Sequence, residues 1–342
     1  MRPLVRGILK GSLQQIRHVA AVRPAAARAL VAEVYGQARR EFGVLAPPLA
    51  LHSPAPEALA ASWTLLRETL LAEGRLGRAA KEAIATGVSR ANDCPYCVEV
   101  HQATFETLPD ADTEAHRPLA DWARASATGG SAPVGAVEAP EAYGVAVTFH
   151  YLNRMVRLFL PDSPVPGAAP RAGRGPVLRM VARAMRPDPG TTVRPGDSLA
   201  LLPAAPLPAD LAWAEGAPHV AGALARAVAA VEARAQRWIP APVRDLVRAE
   251  LAVHDGVNPG PSRVWLDVAL EGLPHEQRPV ARLALLIALA PYQTTDTDIE
   301  RFRAVHGGDR ELVELASWAA LTAAVRIGAR FPAPVRPAPH AG

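Results

Sequence analysis

Cys94 and Cys97 are the two cysteines of this 342-residue chain, and they stand three apart in Cys94-Pro95-Tyr96-Cys97. His101 follows four residues after Cys97, and Glu82 precedes Cys94 by twelve. On a helix, Cys94, Cys97, His101 and Leu108 share one face, so both sulfurs point the same way with an imidazole one turn below Cys97. Cys94 falls in the first turn, where unpaired N–H groups and the helix dipole favour an anion. Helix-start Cys-x-x-Cys pairs commonly have one thiol pKa lowered to roughly 3.5–7.5, which makes a thiolate available at neutral pH. Glu82, on the preceding helix, is placed to orient His101 as a third group orients a catalytic base.

Other chemistries fit parts of this pattern. Cys, Cys, His and Glu are also four possible zinc ligands, although structural zinc sites usually draw on two knuckles rather than on one stretch of helix. Two buried small hydrophobes are the plainest reading of the cysteines. Haem attachment is excluded because Val98, not histidine, follows Cys97.

The elements that must carry these residues read as helices. Leu59, Trp63, Leu66 and Leu70 follow helical spacing over residues 56–72, and Gly74 and Gly77 then break the chain. Residues 78–90 form the next helix, with a thin apolar face of Ala80, Ala83, Ile84, Gly87 and Val88. Its opposite stripe is Glu82, Thr86 and Ser89. Asn92-Asp93 supplies a turn and an N-cap for a helix over 94–108, and residues 140–159 close the block. Trp63, Trp122 and Phe149 are expected in the core. Asn153 and Arg154 are expected to cap or brace the site helix.

Composition agrees. Hydrophobic residues make up 49% and aromatics 5%, so the core must be built from Ala, Leu and Val, which suits packed helices better than sheets. The expected fold class is all-α. Basic residues exceed acidic ones by 37 to 33. Nearly all are scattered arginines, Lys10 and Lys81 being the only lysines, so no nucleic-acid footprint is implied. Two cysteines exclude a secreted disulfide scaffold. Residues 1–21 lack a signal-peptide h-region, and the apolar run 283–290 is too short to span a bilayer. The expectation is a cytoplasmic protein with no membrane contact.

Five segments follow from the pattern: an N-terminal extension (1–30), a helical domain carrying the cysteines (31–160), a Pro/Arg-rich linker wrapped over the surface (161–218), a second helical domain (219–331) and a disordered tail (332–342). A short helix over 177–185 interrupts the linker. The second block resembles a worn copy of the first. Arg326 aligns with Arg154 and Leu321 with Phe149. Pro259, Ser262 and Leu266 stand opposite Cys94, Cys97 and His101, so the helical frame repeats without its reactive residues.

The stretch from Glu82 through Ser89-Arg90-Ala91-Asn92-Asp93-Cys94-Pro95-Tyr96-Cys97 to His101 resembles the signature of the alkylhydroperoxidase D / carboxymuconolactone decarboxylase family. The closing Phe149-His150-Tyr151-Leu152-Asn153-Arg154 resembles the end of that domain. The resemblance implies an alkylhydroperoxidase D-like helical bundle, here duplicated with a degenerate second copy, and assembly into homo-oligomers. It implies thiol-dependent peroxidase or disulfide oxidoreductase activity, of peroxiredoxin type. The partners would be a small hydroperoxide and a dithiol or thioredoxin-like reductant, with no cofactor and no metal. By analogy Cys97 is the peroxide-reacting thiolate, Cys94 the resolving thiol, and His101 and Glu82 the proton relay. The helix-dipole argument taken alone favours Cys94 as the attacking group. Tyr96 stands where the best-known peroxidase members carry a further histidine. The alternatives are a zinc-binding protein or a non-catalytic helical scaffold of the same family.

Overall fold

The computed structural model describes residues 13–165, 171–185 and 190–333. Lys10 and the start of the expected N-terminal extension, parts of the proline-rich segment and most of the expected tail lie outside them. Among the described residues there are helices and no strands, as the composition implies.

In chain order the elements that matter are α1 (Ala29–Glu41), α2 (Pro56–Leu66), α3 (Arg78–Ala91), α4 (Pro95–Phe105), α5 (Thr113–Ala125) and α6 (Ala139–Phe159). Then follow α7 (Arg171–Ala184), α8 (Pro218–Ala235), α9 (Ala241–Val253), α10 (Val264–Leu270), α11 (Arg278–Leu289), α12 (Asp296–Arg303) and α13 (Asp309–Gly328). Proline in the first turn opens α2, α4, α8 and α11, where its missing N–H would have had no partner in any case.

Helix α3 packs against α4, α5 and α6, and is the hub that positions the cysteine helix. Its contact with α5 is close because position 87 is glycine. A Cβ there would lie 2.4 Å from the Ala120 carbonyl oxygen and 2.8 Å from Ala123 Cβ. The entry to α3 is fixed by charge. Glu141 accepts from the backbone N–H groups of Arg75 and Leu76, at 2.9 and 3.0 Å. Lys81, almost fully buried, donates to Ala72 O at 3.0 Å and lies 3.4 Å from Glu141.

Across the two blocks, α2 packs on α8 and α6 on α13, and buried residues of both blocks such as Leu59, Leu224 and Leu286 join one apolar cluster. The proline-rich stretch between them is not confined to the surface, contrary to expectation. Leu201, Leu211 and Trp213 are buried, and Glu68 inside the core accepts from the Ser198 hydroxyl (2.6 Å) and backbone N–H (3.1 Å). Proline excludes regular structure there without excluding burial, because the freed polar groups find side-chain partners. The helix expected over 177–185 begins earlier, at Arg171, with Pro176 inside it, and packs against α4.

His52 is fully buried. Its Nδ1–H donates to Leu49 O at 3.3 Å and its Nε2 accepts from the Tyr151 hydroxyl at 2.9 Å. Burial lowers its pKa from 6.5 to about 4. The unfolded chain therefore takes up a proton below pH 6.5 that the native chain refuses until about pH 4. Stability is fully present above 6.5 and falls as pH drops through that window, by about 3 kcal/mol for this residue. Urea unfolding between pH 7 and pH 4 should show this fall, with a shallower slope in His52→Gln. An identical slope in the variant would count against it.

Candidate active site

Cys94 and Cys97 are paired as a disulfide, with Cα atoms 5.4 Å apart. The helix begins one residue later than its sequence suggested. Cys94, not Asn92 or Asp93, is the N-cap, and no side chain caps the first turn. Pro95 explains this, since a residue before proline is pushed out of the helical region while proline itself suits the first helical position. Asp93 takes a left-handed φ of 48° to make the turn. An N-cap side chain faces the N–H groups of the next two or three residues. In the reduced state a Cys94 thiolate would thus face the Tyr96 and Cys97 amides. Both cysteines are nearly buried, at 1% and 5% exposure.

His101 lies one turn below Cys97, on the same face. Its Nδ1 is 2.7 Å from Glu82 Oε2, and its ring meets Phe149 edge-on with centroids 4.6 Å apart. Glu82 is completely buried, as are Thr86 and Ser89, so the stripe of α3 opposite its apolar face is also turned inward, with Glu82 meeting α4 and Ser89 meeting α6. Its other oxygen accepts from Arg78, with Nη2 at 2.6 Å and Nε at 2.9 Å. Burial opposes ionisation of Glu82, but Arg78 and His101 outweigh it and hold the carboxyl below its ordinary range. The carboxylate fixes the tautomer of His101. With Nδ1–H donating to Glu82, Nε2 is left as the unprotonated ring nitrogen.

A second layer braces the turn before Cys94. Asn92 Nδ2 donates to Asn153 Oδ1 at 2.9 Å and lies 3.1 Å from His150 Nδ1. His150 Nε2 is 2.9 Å from Ser126 Oγ, which in turn donates to Ala123 O at 2.7 Å. Asn153 Nδ2 donates to Ser89 Oγ at 3.0 Å, and the Ser89 carbonyl accepts from the Cys94 N–H at 2.9 Å. With its proton on Nε2, His150 donates to Ser126 Oγ and accepts from Asn92 at Nδ1. Burial, and then Arg154, keep that imidazole neutral, well below its ordinary pKa.

The four residues singled out in the sequence, Glu82, Cys94, Cys97 and His101, are brought together on α3 and α4. The bracing function expected of Asn153 is present. Arg154 instead donates from Nε to Ala288 O (3.0 Å) and from Nη1 to His150 O (2.7 Å), so it ties α6 to the end of α11. His150, Ser126 and Arg78 were missed. For Arg78 the signal was available, at four residues before Glu82 on the same helix. Tyr96 is buried, which raises its phenol pKa and keeps it protonated at neutral pH. The oxygen atoms of Glu82 are already engaged by Arg78 and His101. Among the described residues no group of three or more Cys, His, Asp and Glu side chains is arranged to hold a metal ion.

Two comparisons bear on this site. Residues 57–107, which contain Glu82, both cysteines and His101, match the profile of the carboxymuconolactone decarboxylase family. Over 333 residues the chain is 37% identical to a protein named alkyl hydroperoxide reductase from Mycobacterium tuberculosis, covering 92% of this chain and 94% of that one. The chain belongs to the carboxymuconolactone decarboxylase family. In this family member the matched stretch takes in nearly all of α2 and the helical pair α3–α4, whereas Asn153 and His150 lie on α6, outside it. The likeness to the mycobacterial relative extends through the second block as well, since it covers nearly the whole length of both chains.

Proposed function

We propose that this chain is a thiol-dependent peroxidase, an oxidoreductase that reduces a small hydroperoxide at Cys97 and returns to its starting state through a disulfide with Cys94. The observation that carries this reading is the 2.7 Å bond between His101 Nδ1 and the buried Glu82 carboxylate, one turn from a cysteine pair already joined. The name of the mycobacterial relative, alkyl hydroperoxide reductase, supports the same class of substrate.

His101 Nε2 takes the Cys97 proton. The thiolate electron pair forms an S–O bond to the terminal hydroxyl oxygen of the peroxide, the O–O bond breaks, and the leaving alkoxide takes the proton back as an alcohol. Cys97 is now a sulfenic acid. The Cys94 thiolate attacks Cys97 Sγ, the S–O bond breaks, and hydroxide leaves as water after protonation. An external dithiol or thioredoxin-like protein then attacks the disulfide, giving two thiols here and a disulfide on the reductant. Buried against Arg78, Glu82 stays ionised throughout and stabilises the imidazolium between steps.

This reading carries with it a cytoplasmic setting, where dithiol reductants are available. It also assigns catalysis to the block over residues 31–160, with 219–331 as a degenerate copy packed on it. Pro259 and Ser262, which stand opposite the cysteines, precede α10, and Leu266 opposite His101 is fully buried. The packing of α2 on α8 and of α6 on α13 supports a pseudo-dimer within one chain, which would leave fewer faces for a homo-oligomer. The activity is tested by following hydroperoxide loss with the reduced protein and excess dithiol. Consumption should scale with protein concentration and stop when the dithiol is exhausted. No consumption above the dithiol background would overturn the reading.

A further inference from the structure

At the seam between the two blocks is a cavity of about 260 Å³, lined by Arg124, Arg154, Arg326, Arg330 and His254, with no carboxylate on its wall among the described residues. Helices α3, α5, α9 and α11 all reach it near their C-terminal ends, at Ala91, Ala125, Leu251 and Leu289. Three of the arginines are held in place by carbonyls near those ends. Arg154 Nε donates to Ala288 O at 3.0 Å, and Arg326 donates to Leu251 O at 3.3 Å and Ala252 O at 3.0 Å. Arg330 donates to the carbonyls of Ala127 and His254. Gly256, at φ 91°, lets its loop come close, since a Cβ would lie 2.6 Å from Ala127 O and 2.8 Å from Arg330 Nη1.

Capping alone does not account for so many guanidinium groups. A helix C-terminus carries roughly half a negative charge, so four of them offset only about two of the four positive charges. None of the four arginines forms an ion pair with a carboxylate among the described residues, and Arg124, exposed, makes no hydrogen bond there. Asp255 is the acidic group felt by Arg330 and His254, but it does not line the cavity, and its Oδ1 accepts from the Val257 N–H at 2.9 Å. Burial, Arg330 and Arg154 hold His254 below its ordinary pKa despite Asp255, and burial and then Arg326 lower that of Arg330. The pocket has a standing cationic excess. Each pinned guanidinium keeps further N–H donors beyond those spent on carbonyls, and guanidinium geometry matches planar or tetrahedral oxyanions. Arg154 and Arg326, the pair aligned by the internal repeat, come from equivalent helices of the two blocks and face the same space.

We infer that this cavity binds a small oxyanion, a phosphate- or carboxylate-bearing molecule, held between Arg154 and Arg326, with Arg124 and Arg330 completing the charge. Its volume suits a compact anion rather than a drug-sized ligand. It adjoins Asn92, two residues before Cys94, but the inference stands on the cavity alone and does not depend on peroxidase activity.

The test is calorimetric titration of the full chain at low ionic strength, with inorganic pyrophosphate in one arm and succinate in the other. Saturable one-to-one binding with a Kd below about 1 mM is expected in at least one arm. Binding of pyrophosphate alone identifies a phosphate ligand, of succinate alone a carboxylate, and of both a general oxyanion site. Arg124→Glu, at an exposed position without partners, should weaken binding at least tenfold with an unchanged thermal midpoint, and Arg326→Gln, which also gives up its bonds to the Leu251 and Ala252 carbonyls, should weaken it at least tenfold from the other block. No saturable binding in either arm, or wild-type affinity in both variants, would overturn it.

Discussion

Replacing Cys97 with serine should abolish hydroperoxide turnover, with a loss of at least about 10³-fold, because the hydroxyl of serine is not ionised at neutral pH and cannot supply the electron pair that breaks the O–O bond. Cys94→Ser should behave differently. Its Cys97 can still be oxidised once per chain, but the sulfenic acid finds no neighbour, so one equivalent of peroxide is consumed and steady-state turnover stops. Mass spectrometry after one equivalent of peroxide, with and without a sulfenic-acid-selective trap, separates the two. The assignment of roles comes from the family resemblance, and the local geometry is compatible with it. Cys94 is the N-cap residue, facing uncapped amides of α4, which favours its thiolate both as the group that closes the disulfide and as the leaving group when a reductant opens it. Cys97 has His101 one turn away to take its proton. If Cys97→Ser still shows one-turnover oxidation while Cys94→Ser does not, the roles are reversed.

Glu82→Gln should lower kcat by about 10²-fold, within the range that a positioned acid–base group contributes. The amide keeps the size of the side chain but cannot balance an imidazolium, and it can present its NH₂ to His101 in place of an acceptor. KM for the hydroperoxide should stay within about twofold, since Glu82 is fully buried and acts through His101. Arg78→Gln is the control. It removes the other partner of the carboxylate but leaves the 2.7 Å Glu82–His101 bond, so its loss should be under about tenfold. Equal losses in the two variants would mean that the cluster is structural and that His101 orientation is not what Glu82 supplies. The Glu82 carboxyl is held below its ordinary pKa, so its stabilisation is present above the unfolded carboxyl pKa and lost only as pH falls through the lower folded value. Glu82→Gln should therefore lose stability relative to wild type at neutral pH and less in strong acid, measurable by urea unfolding.

The parts of this site legible in the sequence are those that helical periodicity alone can fix. Spacings of three and four put Cys94, Cys97 and His101 on one face, and a short Asn92-Asp93 turn brings Glu82 back against them. Pro95 carried a signal for Cys94 as the N-cap, although the Asn92-Asp93 turn before it pointed to those residues instead. What no local pattern could give is the orientation of α6 about its axis. His150 meets Asn92 across 58 positions and Ser126 across 24, and its contribution exists only once α6 has docked. The same holds for Ser198 against Glu68, and for the ring cluster in which Tyr143, Trp213 and Phe331 come from three distant segments, Tyr143 and Phe331 stacking at 4.7 Å. Proline content marked the stretch carrying Trp213 as irregular. Its burial depended on partners far away in the chain.

The most direct measurement is a thiol count on fully reduced protein before and after one equivalent of an alkyl hydroperoxide. Redox chemistry at this pair requires both thiols to disappear together and to return on addition of a dithiol, with the intact mass falling by two hydrogens in the oxidised state. If both thiols survive the peroxide unchanged, Cys94 and Cys97 are not a peroxide-reducing pair.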